Sequence, residues 1–258
     1  MFAGHVGAAM AIGRIEKRVN VGALVFAGIF LDVVLWLLVL LGWEVVTIPE
    51  NFNTTHQAEF DFPYSHGLLA SVGWSALAGV ATFLWYPRLS DAKLRAAAFV
   101  AAAVFSHWLL DALVHRPELP VAGPSSAKVG LGLWQSMPVA LVVEAFIALG
   151  GCYLFVAGAN LSRAKKLLLS VLSVLILAFT VVGITVAPPP PSGACLLRSA
   201  RSSLSQLPAD EWHISPSVRT RQLLLRFIGS RLQFRAAGPE CTHPIRREPR
   251  ATISRTQP

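Results

Sequence analysis

The feature that most constrains this 258-residue chain is a series of five apolar segments, each close to the length that crosses a bilayer. A hydrocarbon core of about 30 Å requires about 20 helical residues. The predicted spans are Val21–Trp43, Gly67–Tyr86, Leu94–Val114, Leu133–Ala157 and Leu167–Ala187. Only 14% of residues are charged, against about 25% in soluble domains. The sequence therefore predicts an all-α, polytopic transmembrane helix bundle.

The first residues form a shorter apolar stretch, Phe2–Gly13, with no basic segment before it. It is too short to span and a poor signal peptide, so we expect a half-helix that enters the membrane. Lys and Arg precede the first span, join the second to the third and join the fourth to the fifth, which predicts that these loops are cytoplasmic. The loops 44–65 and 116–130 should face outward.

Composition changes abruptly after Pro188–Pro191, which divides the chain into a membrane domain, 1–187, and a tail, 188–258. The tail has eleven Arg and four acids, and its Pro/Ser/Arg-rich composition predicts disorder. Five spans would place this basic tail outside, against the usual bias. Three interpretations stay open: a basic arm on anionic lipid, a fifth segment that does not span, and a terminus altered by a frameshift. The scattered Arg residues do not indicate nucleic-acid binding.

Four ionisable side chains lie in or beside the spans, where each costs several kcal/mol unless it is paired, hydrated or bound to metal. They are Asp32, His66, His107 and Asp111. At about 1.5 Å per residue, Asp32 lies roughly 20 Å from Arg18 and His107 roughly 18 Å from Arg95, so both fall in one layer. His5, on the half-helix, reaches the same layer. His66 begins the second span, with Ser65 as a possible N-cap.

His107 and Asp111 are four residues apart and share one helix face. With Asp32 and His66 they form a nitrogen and oxygen ligand set suited to a divalent metal, most simply zinc. Such a metal lowers the pKa of a water molecule toward neutrality. A structural polar network and proton or solute translocation are the alternatives. The three cysteines have no CxxC spacing and predict no thiolate site.

Several motifs within 1–157 resemble a bacterial family of small integral-membrane proteins, commonly labelled membrane-bound metal-dependent hydrolases or permeases. They are MFAGH at Met1–His5, FLDVVLW at Phe30–Trp36, DFPYSHGLL at Asp61–Leu69, SHWLLDALVHRPELPV at Ser106–Val121, and VGLGLWQS at Val129–Ser136 with Glu144 beyond. The resemblance implies a multi-pass protein of the bacterial inner membrane.

The order of the candidate ligands is also similar to that of zinc-dependent phospholipase C, which uses an Asp, a His and then an HxxxD pair. That similarity maps onto Asp32, His66, His107 and Asp111, with His5 as an amino-terminal ligand. The second metal of that enzyme uses HxxxE, whereas Ala140 precedes Glu144 at the corresponding position here. His115 and Glu144 would supply at most a partial second site.

The sequence thus favours a metal-dependent hydrolase whose site faces outward, with a lipid or lipid-linked phosphoester as substrate. His5 would be a further ligand or base, and Glu144 would orient or deprotonate water. Tyr64, His115 and Arg116 are candidate substrate contacts, although Tyr64 also suits an interfacial anchor and Arg116 a pair with Glu118. A transporter or permease that handles protons or cations is the main alternative, and a non-catalytic membrane scaffold is the third.

Overall fold

The computed structural model describes residues 1–85, 92–186 and Pro188, and these residues are mainly helical. The predicted tail lies outside this range apart from Pro188. The helices are α1 (Phe2–Ile15), α2 (Val21–Gly28), α3 (Phe30–Leu40), α4 (Phe52–Thr55), α5 (Leu68–Trp85), α6 (Lys93–Val114), α7 (Met137–Gly158) and α8 (Arg163–Thr185), with a 3-10 turn at Leu133–Gln135. The short strands are β1 (Val45–Thr47), β2 (Glu59–Asp61), β3 (Leu119–Pro120) and β4 (Lys128–Val129).

Four helices, α5 to α8, are long and apolar enough to cross a membrane, and α2 with α3 forms a fifth if this bent pair is one span. The predicted multi-pass helical architecture is therefore confirmed. The fourth span begins later than predicted, at Met137, because residues 133–135 form the 3-10 turn.

The first predicted span differs from a continuous helix. It breaks at Ile29, and α2 and α3 meet at an angle of 47°. The Gly28 carbonyl accepts a hydrogen bond from His107 Nδ1 at 2.7 Å. A side chain that enters the helical hydrogen-bond ladder beside a glycine is a common cause of a kink.

The half-helix α1 packs along α7 with almost no space between the two backbones. A Cβ atom added to Gly7 would overlap the Ile147 carbonyl, and one added to Gly151 would overlap the Gly7 carbonyl. Small residues let membrane helices approach closely, which increases their dispersion contacts. This seam fixes α1, and with it His5, inside the bundle.

The two long loops form antiparallel hairpins, β1 with β2 and β3 with β4. They meet at one end of the bundle, where Leu35, Phe62 and Leu119 form a buried apolar cluster. At the other end, Arg95 Nε lies 2.7 Å from Glu16 Oε2 and joins the end of α1 to the start of α6. The bundle therefore has a hairpin end and a basic-loop end, as the charge distribution predicts.

Candidate metal centre

Five ionisable side chains converge in the interior of the bundle although they come from four separate segments. They are His5 on α1, Asp32 on α3, His66 just before α5, and His107 and Asp111 on α6. One ligand atom from each of His66, His107 and Asp111 lies within 4.8 Å of the other two, and the same holds for His5, Asp32 and His107. The structure thus brings together all four predicted ligands and His5.

Asp111 occupies the centre of this cluster. Its Oδ2 lies 3.2 Å from His107 Nε2 and 3.4 Å from His66 Nε2, while its Oδ1 lies 3.2 Å from His5 Nε2. Asp32 Oδ1 completes one side, 3.6 Å from His107 Nε2 and 3.7 Å from His66 Nε2. Two carboxylates therefore face two imidazole nitrogens at nearly equal distances.

Hydrogen bonding fixes the orientation of His107. A carbonyl oxygen can only accept, so the contact between His107 Nδ1 and the Gly28 oxygen places a proton on Nδ1. In the neutral ring, Nε2 then carries a lone pair directed at the carboxylates. The break in the first span thus supplies the backbone acceptor that orients a candidate ligand on another helix.

His66 is oriented by a chain of two side chains. The Ser65 hydroxyl donates to Glu44 Oε2 at 2.7 Å and accepts from His66 Nδ1 at 2.8 Å, because a hydroxyl has only one proton. In the neutral ring, Nε2 then carries no proton. His66 Nε2 therefore also presents a lone pair to the cluster.

Glu44 and Ser65 are the residues that the sequence did not identify as part of the site. Glu44 is only 2% exposed, and its Oε1 accepts the backbone amides of Tyr64 and Ser65, each at 2.8 Å. The sequence placed Glu44 in the predicted outward-facing loop 44–65 and suggested Ser65 only as a possible N-cap. The only available signal was an acid directly after the apolar segment that ends at Trp43, together with a serine next to a candidate ligand.

The two lone pairs create a requirement for positive charge. His66 Nε2 and His107 Nε2 are only 3.1 Å apart, and two neutral rings with protonated Nδ1 atoms cannot hydrogen bond through Nε2. A metal ion or an additional proton between them removes this repulsion. Ligands at about 2.0–2.2 Å from a tetrahedral ion lie about 3.3–3.6 Å apart, close to the spacing of this cluster. The residues therefore fit a divalent metal.

His5 contacts Oδ1 of Asp111, whereas His66 contacts Oδ2. Its ring stacks on the His107 ring, with centroids 3.7 Å apart and planes 13° apart. Its Nδ1 is buried and has no hydrogen-bond partner among the described residues. His5 thus reaches the cluster through one nitrogen, as a further ligand or as a hydrogen-bond partner of Asp111.

Glu144 lies near the start of α1 and is 1% exposed. Its Oε1 accepts the Gly4 amide at 3.3 Å. Within the described part of the chain it forms no ion pair with the imidazoles of the cluster at 4.0 Å or less, so it is not among the paired groups of the cluster.

The three candidate substrate contacts lie toward the hairpin end. His115 is buried against Trp134, and its Nδ1 lies 2.7 Å from Glu118 Oε1. Glu118 therefore pairs with His115, whereas one expectation from the sequence was a pair between Glu118 and Arg116. Phe62 packs against both His115 and His66 and so separates His115 from the cluster. Tyr64 is 48% exposed, and Arg116 is partly buried.

No protein-family model matches this chain, and no curated protein or solved structure shows significant similarity to it. The resemblance drawn from the sequence motifs therefore stays a prediction. Fold and site together define a multi-pass helical membrane protein with a buried His/Asp cluster that could hold a metal ion.

Proposed function

We propose that this protein is a membrane-embedded, metal-dependent hydrolase of the bacterial inner membrane. The observation that carries the proposal is the pair of imidazole Nε2 atoms, 3.1 Å apart and both facing carboxylates, with both Nδ1 atoms engaged elsewhere. Such an arrangement is costly without a cation and well suited to zinc with one.

In this proposal Asp32, His66, His107 and Asp111 hold the metal, and His5 is a fifth ligand or a base. When bound, the metal supplies Lewis-acid activation of water at neutral pH. Glu144 is proposed to accept a proton from water, with the Gly4 amide holding one of its oxygens. Glu44 and Ser65 keep the His66 ring in the orientation that ligation needs.

The accessibility of the ligands supports a substrate that approaches at membrane depth. The side chains of His5, His66, His107 and Asp111 are at most 4% exposed, whereas Asp32 is 34% exposed. The cluster is therefore open mainly on the side of Asp32, which lies on a membrane-spanning helix. A lipid or lipid-linked phosphoester reaches this side from the adjoining headgroup layer, so this is the proposed substrate class.

The test has two stages. Protein purified in mild detergent is first analysed for transition metals, with about one zinc or similar ion per chain expected. Metal-loaded protein is then incubated with lipid phosphoesters of different headgroups, and the expected result is headgroup release that stops with a chelator. A well-folded wild-type protein that takes up no transition metal from added zinc, manganese or cobalt would refute the proposal.

A transporter that handles protons or cations remains the second candidate, and the bent α2–α3 pair is the observation that favours it. Broken helices near the membrane midplane are typical of ion-binding transporters. Transport requires access to the cluster from both membrane faces. Metal or proton flux in liposomes without headgroup release would support this candidate against the hydrolase.

A further inference from the structure

A cavity with a mainly apolar lining lies at the basic-loop end of the bundle, apart from the His/Asp cluster. Its volume is about 370 Å³, and it lies where α1 and α7 end. Its polar lining comes from Arg14 at the end of α1, from Lys17 and Asn20 in the loop that follows, and from Asn160 after α7. Phe155 and Val21 contribute apolar surface.

The cavity lies where two helices in close contact, α1 and α7, come to an end. Gly7 and Gly151 hold α1 and α7 together in the interior, and farther along Gly13 still contacts the Phe155 ring. Beyond that point α1 ends at Ile15 and α7 at Gly158, and each chain turns into the next helix. The space thus lies where the backbones of α1 and α7 end.

Arg14 occupies a defined position in this space. A Cβ atom added to Gly158 would overlap the Arg14 side chain at Nε. Gly158 is the last helical residue of α7 and has no left-handed backbone that would itself require glycine. The absence of a side chain at position 158 thus makes room for the guanidinium group.

The lining is positively charged and holds no acid among the described residues. Arg14 and Lys17 are both exposed into it. The nearest acid along the chain, Glu16, is buried and engaged by Arg95 Nε and by the Arg18 amide. Two cations in one cavity repel each other, and an anion between them removes that repulsion.

We propose that this cavity binds a phosphate group, and that its source is the headgroup of an anionic phospholipid in the leaflet at the basic-loop end. A guanidinium, an ammonium and two amides suit phosphate oxygens, and Phe155 and Val21 suit the adjoining glycerol and acyl carbons. Basic residues at this level attract anionic lipid. Free phosphate shares the same chemistry, so the experiment separates the two sources. The proposal does not depend on the metal site.

The experiment measures thermal unfolding of the full chain in mild detergent with added dioleoylphosphatidylglycerol, dioleoylphosphatidylcholine or inorganic phosphate. The test variant is Arg14→Gln with Lys17→Gln, which keeps most of each aliphatic stem. The matched control is Arg163→Gln with Lys165→Gln, which removes equal charge from the adjoining basic segment outside the cavity. Gly158→Ala is a second test variant that keeps all charges and displaces Arg14.

We expect phosphatidylglycerol to raise the unfolding midpoint of wild type by several degrees and phosphatidylcholine to have little effect. The apparent affinity for phosphatidylglycerol should fall by about tenfold or more in Arg14→Gln with Lys17→Gln. It should also fall in Gly158→Ala and stay near the wild-type value in the control variant. A midpoint shift from inorganic phosphate alone, lost in the same variants, would assign the site to a soluble phosphate. Equal losses in test and control variants, or no difference between the two lipids in wild type, would overturn the proposal.

Discussion

At the scale of single residues, His107 has two functions in the cluster, since it presents Nε2 to the carboxylates and anchors Nδ1 on Gly28. We predict that His107→Ala lowers metal content from about one ion per chain to below about one tenth, because a central ligand is lost. Membrane insertion should persist, since it depends on the summed hydrophobicity of the span. Elemental analysis of purified protein measures the metal content, and membrane fractionation measures the insertion.

His56→Ala is the control for this prediction, because His56 lies in the loop between α3 and α5 and packs against Phe52. It should keep wild-type metal content. Unchanged metal in His107→Ala would mean that the cluster does not hold the ion.

Glu44 permits a finer test, because it reaches the cluster only through Ser65 and His66. Glu44→Gln should weaken metal affinity by about 10- to 100-fold, the usual range for groups that orient a ligand. Competition with a metal-binding dye measures this. Ser65→Ala should have a similar effect, and the double variant should be little worse than either single one, because both break the same chain.

Glu59→Gln serves as the comparison, since Glu59 is an exposed acid on β2. Equal affinities for wild type, Glu44→Gln and Glu59→Gln would show that the Glu44 contact is purely structural.

The residues of the cluster differ in how far the sequence predicted them. Asp32, His107 and Asp111 lie in apolar segments, where an ionisable group is conspicuous and its depth follows from the helical rise. Glu44 lies among the acids of the loop 44–65, which is predicted to face outward, and nothing in its sequence context distinguishes a buried carboxylate from a solvated one. Its burial results from the packing of Tyr64 and Ser65 against it, which is a tertiary contact.

At the scale of elements, the seam between α1 and α7 depends on glycine. Gly151→Ala should destabilise the protein by about 1–3 kcal/mol, because the added methyl group overlaps the Gly7 backbone. Gly150→Ala is a matched control at the neighbouring position, where nothing lies within 4 Å of an added Cβ atom. It should be neutral or slightly stabilising, since alanine favours the helix. Unfolding in a denaturing detergent series compares the two, and equal stability would contradict the close seam.

The spans themselves were predictable because hydrophobicity and length suffice to identify them. The break at Ile29 was not predictable from the sequence. The run from Val21 to Trp43 contains no proline, and its three glycines, at 22, 28 and 42, do not show where a helix would break. Its cause lies on another helix, in the ring of His107, and a linear sequence does not show which side chain reaches a given carbonyl.

At the scale of the whole molecule, the basic tail should be dispensable for the site. All five residues of the cluster lie between positions 5 and 111. Ending the chain after Pro191 should therefore leave metal content and thermal stability unchanged, while binding to anionic vesicles weakens because eleven Arg are lost. Metal content, thermal stability and vesicle binding are each compared between the full-length and the shortened protein. A large loss of metal or stability would show that the tail packs against the bundle.

The hydrogen bond from His107 to Gly28 links the geometry of the membrane span to the coordination chemistry. The same carbonyl lies at the bend between α2 and α3 and fixes the direction of a ligand nitrogen. We expect a change in the bend angle to turn the His107 ring, so that a metal held by Nε2, as proposed, would favour one bend angle. If the proposed metal favours one bend angle, a lipid that binds better to that bend raises the metal affinity by the same factor as the metal raises the lipid affinity.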